Sequence, residues 1–239
     1  MADFLSKEEK VHYVFSRIAK HYDLMNTVLS FRRHKAWRKF AMSRMNVKPG
    51  QSAIDVAAGT GDWTISLAQA VGPQGRIVGL DFCQEMLDCA IPKVAEAGVS
   101  KQVQLIQGNA MDLPFADNTF DYATIGFALR NVPDVKHVLQ EMTRVVKPGG
   151  MVVSLELSKP TWPPFSKLYY LYFEKILPAI GSLASKDHVS YQWLPESLKD
   201  FPDAPTLAGM FEQAGLDHVK YWLLTGGIAA VHIGYKSKV

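Results

Sequence analysis

The stretch Ala53-Ile54-Asp55-Val56-Ala57-Ala58-Gly59-Thr60-Gly61-Asp62 decides the fold. An apolar run ends in an acid, a loop of small residues follows, and helix-forming residues follow the loop. Such a junction lets backbone N–H groups approach a ligand closely. Outward from it the pattern repeats. Residues 51–56 predict a strand and 60–71 a helix ended by Gly72-Pro73. Residues 76–80, 103–107, 120–126 and 151–157 predict further strands. Residues 84–97 and 134–146 predict further helices, and Pro92 is expected to kink or split the first of these. Pro148-Gly149-Gly150 reads as a tight turn into the fifth strand. Strands alternating with helices at this spacing argue for an α/β fold, a doubly wound parallel sheet covered on both faces.

The two ends read differently. Val11, Phe15 and Ile18 recur at helical spacing, as do Trp37, Phe40 and Ala41, so residues 1–49 predict a helical cap closed by Pro49-Gly50. Residues 159–204 are rich in proline and aromatics and interrupt the alternation. Residues 206–214 predict a helix ended by Gly215. Two apolar runs, 217–224 and 228–235, then flank Gly226-Gly227 as a terminal hairpin. The expected organisation is a single domain, 1–239. It comprises the cap (1–49), a ligand-binding core (50–158), a lid insertion over the substrate (159–204) and the end of the sheet (205–239).

Composition narrows the function classes. Of 239 residues, 48% are apolar, which excludes disorder as the dominant state. The net charge of +3 is too mild for the footprint of a nucleic-acid binder, so no nucleic-acid partner is expected. Cys83 and Cys89 form no CxxC pair and no Cys/His quartet, so no metal is expected, and their number suits a reducing compartment. The first ten residues, MADFLSKEEK, lack the apolar segment of a signal peptide. The longest apolar candidate, 168–184, contains Glu174 and Lys175, so no transmembrane helix is expected.

Two ligands compete for the glycine loop. A dinucleotide needs Gly-x-Gly-x-x-Gly, but Thr64 stands at the third position, and Asp62 would place negative charge beside a pyrophosphate. S-adenosylmethionine (SAM) carries no phosphate, and Asp55 can hold its ammonium group directly or through water. An ordinary strand–turn–helix junction is the third reading of Gly59, Thr60 and Gly61. The second acid, Asp81, ends strand two twenty residues after Gly61, where a carboxylate accepts both ribose hydroxyls. Asn109 and Ala110 follow strand three, where side-chain or backbone groups can read an adenine edge. The three loops together form one crevice at the carboxyl ends of the strands.

Residues 55–61, Asp-x-Ala-x-Gly-Thr-Gly, resemble the first motif of the class I SAM-dependent methyltransferases, which usually have Gly where Ala57 stands. Tyr22-Asp23-Leu24-Met25-Asn26-Thr27-Val28-Leu29-Ser30, followed by His34 and Trp37, resembles the N-terminal signature of the ubiquinone/menaquinone C-methyltransferase family. Arg144-Val145-Val146-Lys147-Pro148-Gly149-Gly150 resembles its second signature. Phe127-Ala128-Leu129-Arg130-Asn131-Val132 resembles its loop after strand four, often with Gly in place of Ala128. Residues 191–198 (YQWLPESL) are also similar, with Trp193 as a departure.

The resemblance implies a Rossmann-like methyltransferase sheet of seven strands, with a C-terminal antiparallel hairpin and an N-terminal helical cap. It implies methyl transfer from SAM to a ring carbon of prenylated demethylmenaquinol, or of a ubiquinol precursor. A phenol ring is nucleophilic at carbon once its hydroxyl loses a proton, so a base or fixed positive charge is needed. Arg130, in the loop after strand four, is a candidate for stabilising the phenolate or positioning a water; its other reading is a salt-bridge or capping partner. His34 is a candidate base, with His21 beside the signature, although cap-helix histidines also serve packing. Tyr22, Asp23 and Asn26 lie on one helical turn and are expected either to lid the cofactor or to cap a helix and pack the N-terminal segment. Tyr22, Asn26, Phe127 and Asn131 are expected around the acceptor. Asp/Asn-Pro-Pro-Tyr/Phe, common among N-methyltransferases, is absent after strand four, which disfavours amino acceptors. Phe165, Leu168, Tyr169, Tyr172 and Ile176 share one helical face, as a wall for a prenyl chain, a contact with the bilayer, or a face toward the core or a homodimer partner. A cytoplasmic enzyme, peripheral to the inner face of the membrane, is the expectation. An NAD-linked oxidoreductase and a nucleotide-binding regulator are the competing classes.

Overall fold

Apolar residues on both faces of a strand require cover on both sides, and Ala53, Ile54 and Val56 are all fully buried. They belong to β1 (Ser52–Val56), the middle of the molecule. In the computed structural model, which describes residues 6–160 and 188–238, β1 pairs in parallel with β2 (Arg76–Asp81) and with β4 (Phe120–Gly126). Outside β2 lies β3 (Val103–Gln107), and outside β4 lies β5 (Val146–Leu157). The hairpin of β6 (Leu216–Leu224) and β7 (Ala229–Lys236) completes the sheet, with β7 antiparallel to β5. The order β3-β2-β1-β4-β5-β7-β6 reverses direction of travel between β1 and β4. That switch point opens a crevice at the carboxyl ends of the strands.

Three helices cover the parallel half: α4 (Asp62–Val71), α5 (Gln84–Glu96) and α6 (Val135–Val145). Gly61 takes a left-handed φ of 81°, so α4 starts at Asp62, two residues later than the sequence implies. Pro92 neither splits α5 nor ends it. Its ring removes only the bond to the Asp88 carbonyl, and that turn is exposed, so water can satisfy the oxygen. The turn expected at 148–150 lies inside β5, where the register shifts between the pairs Phe120–Val146 and Tyr122–Met151 and Gly149 takes a left-handed φ of 78°.

Toward the N-terminus lie α1 (Lys7–Ile18), α2 (Tyr22–Leu29) and α3 (Arg33–Met45). A reciprocal capping box between Ser6 and Glu9 starts α1. Its Val11 and Val14 pack against Trp193 on α7 (His188–Lys199), and Phe15 reaches Phe82 and Met86. Trp37, Ala41 and Met45 of α3 join the core on the α4 face. Finally α8 (Ala204–Gln213) is capped by Asp203, whose carboxylate accepts from Thr206 N–H. The expected apolar stripe at 165–176 lies outside the described residues. No described helix is long and apolar enough to cross a membrane.

Candidate active site

The β1 loop is held open by its backbone. Ala57 has φ 54° and Gly59 φ 56°, both left-handed. Glycine adopts that region freely and alanine at a penalty, which explains the preference for Gly at position 57. A Cβ added to Gly59 would lie 3.2 Å from Met86 Cε and 4.0 Å from Tyr22 Cε1, both in the wall of the main cavity. Gly61 is different. Its added Cβ would meet Ala90 Cβ at 3.0 Å and Val94 beyond it, and Gly61 lines neither cavity described below. Its small size seats α5 against the loop.

Asp81 is 5% exposed, and each of its oxygens already accepts a backbone bond, from Gly59 N–H at 2.7 Å and from Cys83 N–H at 2.9 Å. Burial pushes its carboxyl up to about 6 in spite of these donors. A carboxylate has about four acceptor sites, so two remain for hydroxyl donors. Asp55 lies deeper, at 2% exposure. Thr64 Oγ1 donates to it at 2.7 Å and Thr124 Oγ1 at 2.8 Å. Burial, against these bonds, raises it to about 6. Thr64, the residue that breaks the dinucleotide pattern, thus positions an acid. The close helix–strand approach that a third glycine would give is supplied by Gly79 on β2, whose added Cβ would lie 3.0 Å from Thr64 Oγ1.

Two adjoining cavities share Tyr22, Ala57, Gly59, Gly126 and Phe127. The larger, of about 700 Å³, is lined by Asp81, Phe82, Asn109, Ala110 and Asn131, and closed by Glu8, Val11 and Phe15 of α1. Asn109 stands at its edge, exposed, with Oδ1 accepting from Met111 N–H at 2.9 Å, which orients its amide N–H₂ as a donor for a base edge. The smaller cavity, about 510 Å³, is lined by Asn26, His34, Arg38, Asp55, Thr60 and Asp62. Acids and a guanidinium in one wall suit a zwitterion. Three acids around the crevice repel a pyrophosphate, and this donor set fits SAM.

The cap is tied to the core here. Thr60 Oγ1 donates to Asp23 Oδ1 at 2.6 Å. Lys93 Nζ reaches Asp23 and Asp62, each at 2.6 Å, and Arg38 pairs with Asp62 at 2.9 Å. Burial opposes the charge on Asp62, yet Arg38 and Lys93 hold its carboxyl below the usual range. Lys93 and Arg38 were not among the sequence candidates; their signal, an acid in the glycine loop needing partners, was present in Asp62.

His34 is 5% exposed and faces the smaller cavity. Its Nδ1 lies 2.7 Å from Ser30 Oγ, and Ser30 Oγ donates its hydrogen to the Asn26 carbonyl at 2.5 Å. With that hydrogen committed, Ser30 can only accept from the ring, so Nδ1 carries the proton and Nε2 keeps its lone pair. Burial, then Arg38, lowers the pKa of His34, so the ring is neutral at pH 7. Tyr22, hydrogen-bonded to Asn26, borders both cavities, and burial raises its phenol. Phe127, at φ 55°, turns its ring toward Trp37, 6.3 Å away between centroids, at the shared wall.

Of the two readings of Arg130, the structure shows the salt-bridge partner. The residue is 8% exposed and lines neither cavity. Its Nη1 pairs with Glu156 Oε2 at 2.9 Å and donates to the Phe127 carbonyl. Burial raises Glu156, while Arg130 and the amides of Leu129 and Leu157 favour its charge. The guanidinium therefore shapes the loop after β4 from behind. Glu156 was not visible in the sequence, because a lone acid in an apolar strand names no partner. Asn131 lines the larger cavity, but its Oδ1 accepts from Trp193 Nε1 at 3.0 Å and its Nδ2 donates to Phe127. The departure at Trp193 is thus satisfied by a hydrogen bond, with Lys10 stacked 4.8 Å over its ring.

Comparison with known proteins agrees with this geometry. Solved structures similar to the chain include a SAM-dependent methyltransferase from Aquifex aeolicus, with TM-score 0.61 and 20% identity over 83% of this chain and 88% of that one. The [4+2]-cyclase SpnF is similar too, with TM-score 0.62 and 18% identity over 84% of this chain and 79% of that one. At these identities the likeness concerns the fold alone, and fold does not fix chemistry. Among sequence relatives, demethylmenaquinone methyltransferases of Bacillus cereus (strain ATCC 10987 / NRS 248) and Bacillus anthracis (strain A0248) are each 58% identical over 97% of both chains. The model of the ubiE/COQ5 methyltransferase family matches residues 4–236. The chain belongs to the ubiE/COQ5 methyltransferase family.

Proposed function

We propose that this enzyme methylates a ring carbon of demethylmenaquinol, giving menaquinol, with SAM as the methyl donor. The observation that carries the reading is the pair of joined cavities: a crevice on the switch point with Asp81 in its wall, adjoining a second cavity in which the neutral, oriented His34 stands with Asp55, Asp62 and Arg38. The 58% identity to demethylmenaquinone methyltransferases over nearly the whole chain supports the naphthoquinol as acceptor.

In this reading Asp81 accepts from the ribose hydroxyls, and Ala110 and the amide of Asn109 border the adenine. Asp55 and Asp62 face the ammonium of the methionine end and Arg38 its carboxylate. Gly59 and Thr60 leave room along that path. When bound, SAM supplies a methyl group already activated by its sulfonium. The chain's own task is to place the acceptor carbon in line and to remove a phenolic proton. His34 Nε2 accepts that proton, and Ser30 steadies the imidazolium by keeping its Nδ1–H bond. Tyr22, Asn26 and Phe127 wall the ring. The core's loop after β4, braced by Arg130 and Asn131, fixes the wall's position. The prenyl tail requires access to a membrane surface, so the enzyme works at the cytoplasmic face of the bilayer as a peripheral protein.

The test is transfer from methyl-labelled SAM to demethylmenaquinol, run beside the benzoquinol precursor of ubiquinol. Labelled naphthoquinol product supports the reading. Tight SAM binding with transfer to neither quinol would overturn it.

A further inference from the structure

We propose that the outer face of α2, with the turn that follows, docks on an anionic lipid bilayer. The inference rests on the reading that the acceptor is prenylated. Residues four apart share a helix face, and α2 has two unlike faces. Tyr22 and Asn26 look into the cavities. On the opposite side Leu24 is 64% exposed and Val28 is 48% exposed, and Phe31, 74% exposed, continues the row. One helix, about 10–12 Å across, therefore separates the reaction chamber from an apolar outer surface.

The backbone holds this arrangement deliberately. Phe31 and Arg32 are consecutive non-glycine residues at φ 48° and 62°. The turn is fixed by Arg32 N–H to the Thr27 carbonyl and Arg33 N–H to the Ser30 carbonyl, both 2.8 Å. Strain of this kind persists where function requires it. It sets Phe31 and Arg32 directly before α3, the helix that carries Arg33 and His34.

Charge selects the occupant. Residues 17–39 hold seven lysines and arginines and one acid, Asp23, a balance of +6, whereas the whole chain carries +3. The remainder is therefore net negative, and the positive charge is concentrated around α2. Lys20, Arg32, Arg33 and Lys35 are exposed, while the Asp23 carboxylate is engaged by Thr60 and Lys93. Apolar side chains ringed by cations suit a surface of anionic headgroups over acyl chains. An acceptor resident in that bilayer then needs to cross only the width of α2.

The experiment is co-sedimentation of the full chain with vesicles of phosphatidylglycerol and phosphatidylcholine in equal parts, against phosphatidylcholine alone. The wild type should partition to the anionic vesicles, less so as salt rises. Leu24→Glu with Val28→Glu, and separately Arg32→Glu with Arg33→Glu, should each weaken partition by roughly tenfold or more. SAM affinity and turnover of a short-chain, water-soluble quinol should stay at wild-type level in both, which also shows that the variants fold. Equal partition of wild type and both variants would overturn the proposal, as would indifference of the wild type to anionic lipid. Loss of a dimer by light scattering, with no lipid effect, would assign the face to a second copy instead. Vesicle binding without transfer to any prenylated quinol would leave the docking surface standing and remove the acceptor assignment.

Discussion

At the scale of single residues, the chemistry divides between a base on the cap and an acid on the core. His34 is neutral, with Nε2 available because Ser30 holds Nδ1–H. Replacing it by Gln should lower kcat by about 10²–10⁴ and leave SAM affinity near wild type. Activity should recover in part as pH approaches the phenol's own ionisation, and a pH–rate profile of wild type and variant checks this. A flat comparison would remove His34 from the chemistry. Asp81→Ala makes the opposite separation. Hydrogen bonds to a charged acceptor contribute about 1.5–3 kcal/mol each, so calorimetry should show SAM affinity reduced at least about tenfold. Because Asp81 and Asp55 are both raised to about 6, SAM binding should weaken as pH falls through 6, where each carboxyl must lose a proton to accept. The acids were legible in the sequence because they end strands beside a glycine loop. Ser30 was legible only as part of a signature, since its partner His34 defines its role. The two readings of Arg130 stayed open in the sequence because the partner that decides between them, Glu156, lies 26 residues away on β5.

At the scale of elements, the loop between β1 and α4 carries two glycines with different duties. Gly59→Val should lower SAM affinity out of proportion to its loss of stability, because beyond the strain of a β-branched residue at φ 56° its side chain would enter the cavity wall at Met86 and Tyr22. Gly61→Val should fail earlier, as lowered thermal stability, because Ala90 stands 3.0 Å from its added Cβ and the backbone is at φ 81°. Thermal melts beside calorimetry distinguish the two, and equal behaviour would contradict the assignment. A one-dimensional pattern of Gly-Thr-Gly cannot show this difference, because α5 is brought against Gly61 only by the second strand–helix unit. Element types were legible throughout the parallel half, where each unit carries its own periodicity. The unbroken α5 at Pro92 was not, because exposure of the freed Asp88 carbonyl is a tertiary fact.

The β5–β7 pairing carries a buried histidine. His232, opposite Ser154, donates from Nε2 to the Ala204 carbonyl and stacks on Tyr221. Burial, against the Ala204 bond, lowers its pKa to about 4. The unfolded chain takes up the proton first, near 6.5. Stability contributed by neutral His232 is therefore full above that pH and is lost as pH falls toward 4, by up to about 3 kcal/mol. Asp55 and Asp81 act oppositely, gaining protons in the folded state between about 6 and 4. The comparison to make is wild type against His232→Asn in chemical denaturation at pH 7 and 4.5. The wild type should lose more stability than the variant on acidification.

At the scale of the whole molecule, the sheet supplies a donor crevice and the N-terminal helices supply the roof, the base and the outer surface. Asp23, Lys93, Asp62 and Arg38 bind these parts together across four helices, α2 to α5. Such part-exposed pairs contribute little singly, about 0–1 kcal/mol, so the tie sets position more than stability. The cap reads in sequence as amphipathic helices, but that α1 closes the larger cavity with Val11 and Phe15 follows only from packing. The central claim is that this assembly directs a methyl group to a carbon, with His34 making the ring nucleophilic. The most direct measurement is the position of the label after reaction with SAM carrying a ¹³C-methyl group and demethylmenaquinol. The account predicts a single aryl-methyl carbon resonance, on the quinone ring. A methoxy resonance, meaning transfer to the phenol oxygen, would contradict it.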